Sequence, residues 1–114
     1  MFIEGKFITL NKYINTFNKN RFAANKIKQD MTNLVYWQCI GKPKIVTPTK
    51  LKFTWRIKNK RTDPDNIAFC KKWVCDGMVK AQIIPDDTFK HIKGFIDEYV
   101  ESKDEGVKIE RVEE

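Results

Sequence analysis

The chain has 114 residues, of which 41% are hydrophobic and 12% aromatic, enough for a core of its own, which excludes a disordered linker and leaves little room beyond one domain over residues 1–114. Its net charge of +7 is uneven: residues 1–60 hold 13 Lys or Arg and 2 Asp or Glu, a net of +11, and residues 61–114 hold 9 and 13, a net of −4. A basic half points to a polyanion, and the scatter of the lysines favours nucleic acid over a membrane surface, the bland alternative being a solvated lysine-rich exterior.

No apolar run is long enough to span a bilayer, and "MFIEGKFITL" lacks the basic-then-apolar layout of a signal peptide. The three cysteines, Cys39, Cys70 and Cys75, form no C-x-x-C pair. Zinc is therefore not expected, and reduced thiols in a small-residue role are. His91 is the only histidine and reads as a surface residue rather than a ligand.

Residues 2–10 are rich in β-formers and predict a strand. "NKYINTFNKN" follows, and its asparagines 11, 15, 18 and 20 predict a polar loop. From Arg21 to Cys39 the apolar residues Ala23, Ile27, Met31 and Leu34 recur at helical spacing, with Arg21, Asn25, Lys28 and Thr32 opposite. "GKPK" ends that helix. In "KFTWRIK" Phe53, Trp55 and Ile57 alternate with Lys52, Thr54, Arg56 and Lys58, predicting a strand with one apolar and one basic face.

A second helix is predicted from Asp65 or Asn66 to about Gln82. At ~100° per residue, Ile67, Cys70, Val74, Met78 and Ala81 share a core face, while Asp65, Lys72, Asp76 and Lys80 share the opposite one. Phe69 and Trp73 fall on a shoulder, available to a neighbouring strand or to a partner chain. Residues 89–101 are strand-like, "SKDEG" reads as a turn and "VKIERV" as a closing strand. The order strand, helix, strand, helix, strand, strand gives an α/β (α+β) domain with two main helices and a mixed β-sheet.

Two acidic pairs stand out. Asp63 and Asp65 flank Pro64, and in an extended segment such positions point the same way. Held close, they repel unless a cation intervenes, although salt bridges to lysine are the ordinary fate of such carboxylates. Asp86 and Asp87 follow an apolar pair and a proline. An EF-hand is excluded, because Ile67, Ala68 and Val74 occupy positions that require Asp or Asn, Gly and Glu. Magnesium fits better, since it needs few carboxylates and completes its shell with water and phosphate oxygens.

"RTDPDNIAFCKKWVCDGMVKAQIIPDD", residues 61–87, resembles the signature of the RusA family of Holliday junction resolvases, particularly the phage and prophage type. The pattern is D-x-D-N, a lysine, an aspartate four residues on, and an acidic pair after two apolar residues. The early "LNKY" after the first strand agrees as well. The resemblance implies a RusA-like endonuclease domain of the host or phage-infected cytoplasm, not secreted. It implies a homodimer that resolves four-way junctions in DNA recombination and repair by paired phosphodiester nicks, with Mg²⁺ (or Mn²⁺) and no organic cofactor or membrane.

Carried over by position, Asp63, Asp65 and Asp87 are the catalytic metal ligands, with Asp86 secondary, and Lys72 is the catalytic lysine. The gap from Asp65 to Lys72 is longer than in compact family members, which keeps Lys71 as a rival. Lys12, Arg21, Lys28, Arg56, Lys58, Lys60, Arg61, Asn66 and Lys71 are the expected DNA contacts. The alternative is a non-catalytic basic DNA-binding protein that retains the fold.

Overall fold

A computed structural model describes residues 1–113. In chain order the elements are β1 (Phe2–Glu4), α1 (Leu10–Lys19), α2 (Arg21–Cys39), β2 (Thr49–Ile57), α3 (Pro64–Ala68), α4 (Lys71–Lys80), β3 (Ile92–Glu101) and β4 (Gly106–Val112). The sheet order is β1-β4-β2-β3, with β2 parallel to β3 and antiparallel to β4, and β4 antiparallel to β1. This is a single α+β domain on a mixed sheet. No helix among the described residues is long and apolar enough to cross a membrane.

The alternation read in β2 decides the layering. Leu51 and Phe53 are fully buried and Trp55 nearly so. With Ile3, Val107 and Ile109 from β1 and β4 they form the covered face of the sheet. Lys52, Thr54 and Arg56 take the other face, together with Lys108 and Glu110, and remain half-exposed or exposed.

Helix α2 has the predicted limits, but its buried residues are Ala24, Val35 and Cys39. Ile27, Met31 and Leu34 are half-buried and pack against the core. The apolar stripe is thus centred slightly off the predicted line.

Three predictions are corrected, besides the strand read over residues 2–10, of which only Phe2–Glu4 is strand and Leu10 already belongs to α1. The asparagine-rich stretch is helix α1, not a loop. Leu10, Tyr13, Ile14 and Phe17 recur at i, i+3, i+4 and i+7, and Tyr13 meets the Trp73 ring edge-on at 5.2 Å. The asparagines lie on the solvent side, where their weak helix propensity is overridden by packing. Asn20 then caps α2, its side chain accepting from the Phe22 and Ala23 N–H groups.

The second correction concerns the helix predicted from Asp65 to Gln82, which is two helices. Across the junction the Cys70, Lys72 and Trp73 N–H groups bond three residues back, at 2.9, 3.0 and 3.1 Å. Such tightened turns advance the chain by ~120° per residue instead of ~100°, yet the core face counted from Asp65 holds: Ile67, Cys70, Val74 and Met78 are buried, and Lys72 and Lys80 are exposed. The third concerns Trp73, which is interior, 1% exposed, with its indole N–H donating to the Ile8 carbonyl at 2.9 Å. Phe69 is half-buried against it, ring centroids 5.5 Å apart. Neither aromatic offers an interface.

Helices α2 and α4 approach closely at Gly77. A Cβ there would stand 2.5 Å from Val35 Cβ and 3.0 Å from the Thr32 carbonyl oxygen. Val35 is fully buried and the Thr32 oxygen is backbone, so neither can swing aside. Gly77→Ala is expected to destabilise the protein by about 1–3 kcal/mol in urea unfolding. Gly94→Ala is the control, because a Cβ at Gly94 meets only Lys50 methylenes at 3.7 Å or more. Equal effects of the two substitutions would contradict the close crossing.

Candidate nucleic-acid interface

The D-P-D-N turn is the start of α3. Asp63 is its N-cap, Pro64 sits in the first turn, where its missing N–H costs nothing, and Asp65 follows. The Asp63 carbonyl accepts from the N–H groups of Asn66 and Ile67, but its carboxylate makes no capping bond. Both Asp63 and Asp65 are exposed. Asn66, an expected DNA contact, is instead buried, and its Oδ1 accepts from the Asn11 N–H at 3.1 Å, pinning the start of α1 to α3.

Asp86 and Asp87 lie exposed in the connection before β3, with Asp86 Oδ1 accepting from the Asp87 N–H at 2.8 Å. Among the described residues no three His, Cys, Asp or Glu side chains form a group that could hold a metal ion. Asp63, Asp65 and Asp87 are therefore not brought together as a three-carboxylate cage within one chain. Asp63 and Asp65 stand exposed in one turn, two carboxylates without a third beside them.

The two adjacent lysines go opposite ways. Lys72 is exposed and pairs with Asp76 at 3.2 Å. It borders a groove between α2 and α4, lined also by Asn25, Lys28, Thr32 and Lys80. Lys71 turns inward to the Asp97 carboxylate, both side chains about four-fifths covered. Its ammonium also lies 5.2 Å from the Phe95 ring centre and 5.9 Å from that of Phe53. The other Asp97 oxygen accepts from the Trp55 indole N–H at 2.9 Å.

Tyr99 connects this pair to the acidic turn. Its hydroxyl donates to the Pro64 carbonyl at 3.0 Å, and its pKa is raised by burial and by the charges of Asp97 and Asp65. Asp97 was not among the predicted site residues. The signal was present, since Phe95, Asp97 and Tyr99 share one face of a period-two strand. What makes it informative is the register placing Asp97 beside Phe53 on buried β2.

The remaining predicted DNA contacts divide by partner. Arg56 lies 4.3 Å over the Phe2 ring and Lys58 pairs with Glu105 at 3.6 Å. Arg21 covers Phe17 at 5.5 Å, and Lys28 faces the α2–α4 groove. Lys12 and Arg61 line a cleft of about 450 Å³ between α1 and the loop before α3, with Lys60 exposed in that loop. Asp63 and Asn66 border the same cleft.

All three thiols are buried, which favours their protonated form. Burial pushes Cys70 up to about 12, and burial with the charges of Asp87 and Asp76 does the same for Cys75. Burial also raises Cys39, opposed by Lys42. His91 is half-buried with Nδ1 3.0 Å from the Thr47 hydroxyl. No protein-family model, curated protein or solved structure matches the chain.

Two measurements check this geometry. Asp97→Ala strands a half-buried ammonium and an indole N–H and is expected to cost about 1–3 kcal/mol, whereas Lys72→Ala removes an exposed pair worth under about 1 kcal/mol. Urea midpoints in the reverse order would overturn the inward and outward assignments. Iodoacetamide at neutral pH should leave all three cysteines unmodified in the native protein and label all three once it is unfolded. Because the raised thiols bind protons more tightly when folded, they favour the native state below about pH 9. That contribution is lost as pH rises towards the folded values of about 12.

Proposed function

We propose that this chain is a magnesium-dependent endonuclease of branched DNA, resembling the RusA-family Holliday junction resolvases and acting as a homodimer. The observation that carries the reading is the exposure of Asp63 and Asp65 beside a cleft lined by Lys12, Lys19 and Arg61. Acidic groups next to unpaired cations are what metal-assisted phosphodiester hydrolysis calls for: cations hold the backbone, and carboxylates tolerate the anion only with a metal between them. When bound, the ion would supply Lewis-acid neutralisation of the phosphate. In this reading Lys71 rather than Lys72 supports the reaction, because its partner Asp97 shares a face of β3 with Tyr99, whose hydroxyl donates to the Pro64 carbonyl of the acidic turn. Lys71 would lend positive charge near the attacked phosphate, released in part from Asp97 as the anion arrives.

Paired nicks require two copies of the site, and two-fold symmetry is the simplest way to supply them. The surface offered for this is the unpaired edge of β3, where Phe95, Ile96 and Val100 are 45%, 39% and 44% exposed.

A second reading, a non-catalytic DNA-binding protein, is favoured by one observation: Asp87 is not gathered with Asp63 and Asp65. Incubation with a four-way junction separates the two. The enzyme is expected to nick with Mg²⁺ and not in EDTA, Asp65→Asn to bind without nicking, and Lys71→Ala to lose about 100-fold or more in rate with Lys72→Ala little changed. Binding with no nicking in either Mg²⁺ or Mn²⁺ would establish the second reading. Sedimentation at micromolar concentration reports the dimer, and a strict monomer in the presence of the junction would exclude it.

A further inference from the structure

The cleft between α1 and residues 59–63 has a lining without a single apolar side chain. Thr9, Asn11, Lys12, Asn15, Thr16 and Lys19 contribute from the α1 side, facing Arg61, Thr62 and Asp63. The helical contributors 11, 12, 15, 16 and 19 make one unbroken stripe at i, i+1, i+4, i+5 and i+8. Lys12, Lys19 and Arg61 form no ion pair with any described carboxylate. They differ in this from Lys26, Lys52, Lys58, Lys71, Lys72 and Lys108, each of which has an acidic partner. A second depression of about 170 Å³ shares Thr9 and Thr62 with the first but is lined also by Phe7, Trp55, Ile57, Ile67 and Cys70 and differs from it in character.

From this we infer that the cleft is a sugar-phosphate groove that holds one nucleic-acid strand by its backbone and reads no bases. Cations and amides suit phosphate and sugar oxygens. Sequence-tolerant base binding uses aromatic platforms, and the cleft contains none. The alternation of lysine with asparagine along α1 supplies both charge and neutral donors, so successive phosphates meet different partners along one helix. The groove is the first depression alone, running from Lys19 to Asp63 along α1. This deepens the proposed function by naming how the strand is held, and it does not require that the strand be cut.

The test is fluorescence anisotropy with labelled oligonucleotides in EDTA, which separates holding from nicking, across about 50 to about 200 mM salt. Wild-type affinity should fall with a log–log slope of which Lys12, Lys19 and Arg61 each account for about 0.7–0.9. Over that range each contact corresponds to about 3-fold in affinity, so the triple alanine variant should lose about 20- to 40-fold less than wild type on raising the salt. Lys26→Ala, which removes a cation already paired with Asp30, should leave the slope as it is. Oligo-dT and oligo-dA of equal length should bind alike.

A slope unchanged in the triple variant would overturn the groove, as would a preference of 10-fold or more for one base composition. Full competition by millimolar inorganic phosphate would reduce it to a small-anion site, and equal competition by polyglutamate of the same length would show a general acidic-polymer surface. Either result overturns the assignment. Loss of slope in the triple variant of a protein that never nicks DNA would sustain the groove and remove the endonuclease.

Discussion

Asp97 places a carboxylate on the covered face of the sheet, where an unpaired charge would be costly. It is made tolerable by two donors from two other elements, the Lys71 ammonium from α4 and the Trp55 indole N–H from β2. Three elements far apart in sequence therefore share one polar contact inside an apolar layer. The contact sets the rotation of α4 about its own axis. Lys71 must point at the sheet, so Lys72, one residue on, points away towards α2, and Val74, Cys75 and Met78 follow into the core. The same rotation turns Gly77 to Val35, where only a residue without a side chain fits. Because the pair is desolvated, removing either partner costs more than the pair itself contributes.

The second constraint is that helices cover one face of the sheet. Cations on the solvent face meet acidic neighbours across the strands, as Lys52 meets Glu98 at 3.4 Å. They also lie against rings, as Arg56 lies over Phe2. These contacts satisfy the charges and make them poor counterions for a phosphate. The cations of α1 and its facing loop have no acidic strand beside them. Charge that is evenly scattered along the first sixty residues is thereby sorted by the fold into partnered and unpartnered sets. Electrostatic attraction of a polyanion is governed by the second set, together with the summed field of the whole surface.

Helix α1 matters to both the core and the cleft. Its apolar side packs Tyr13 against Trp73 and Phe69, and the Asn11 N–H in its first turn is held by Asn66 of the acidic turn. The D-P-D-N turn is accordingly fixed from two sides, by α1 through Asn66 and by β3 through the Tyr99 hydroxyl on Pro64. Asp63 and Asp65 project from a rigid support although they are exposed. A carboxylate on a fixed backbone can meet a hydrated cation without first paying the entropy of ordering a loop.

The sequence by itself determined the strands at the centre, the limits of α2 and the mixed sheet, because period-two and period-3.6 burial are local patterns that the chain carries in order. It also marked the two acidic pairs and the basic half. Tertiary structure decided where those groups sit and what they touch. The asparagines of α1 read as turn formers until Trp73 and Phe69 supplied an apolar surface for the opposite side of the helix. The count along the helix placed Lys72 outward with Asp76, but the partner that Lys71 meets on the inward side, Asp97, comes from a strand it could not bring there. Asp97 gained its partners only when parallel pairing set it beside Phe53 and under α4. Pairing, register and helix rotation are relations between distant segments, and no local pattern encodes them.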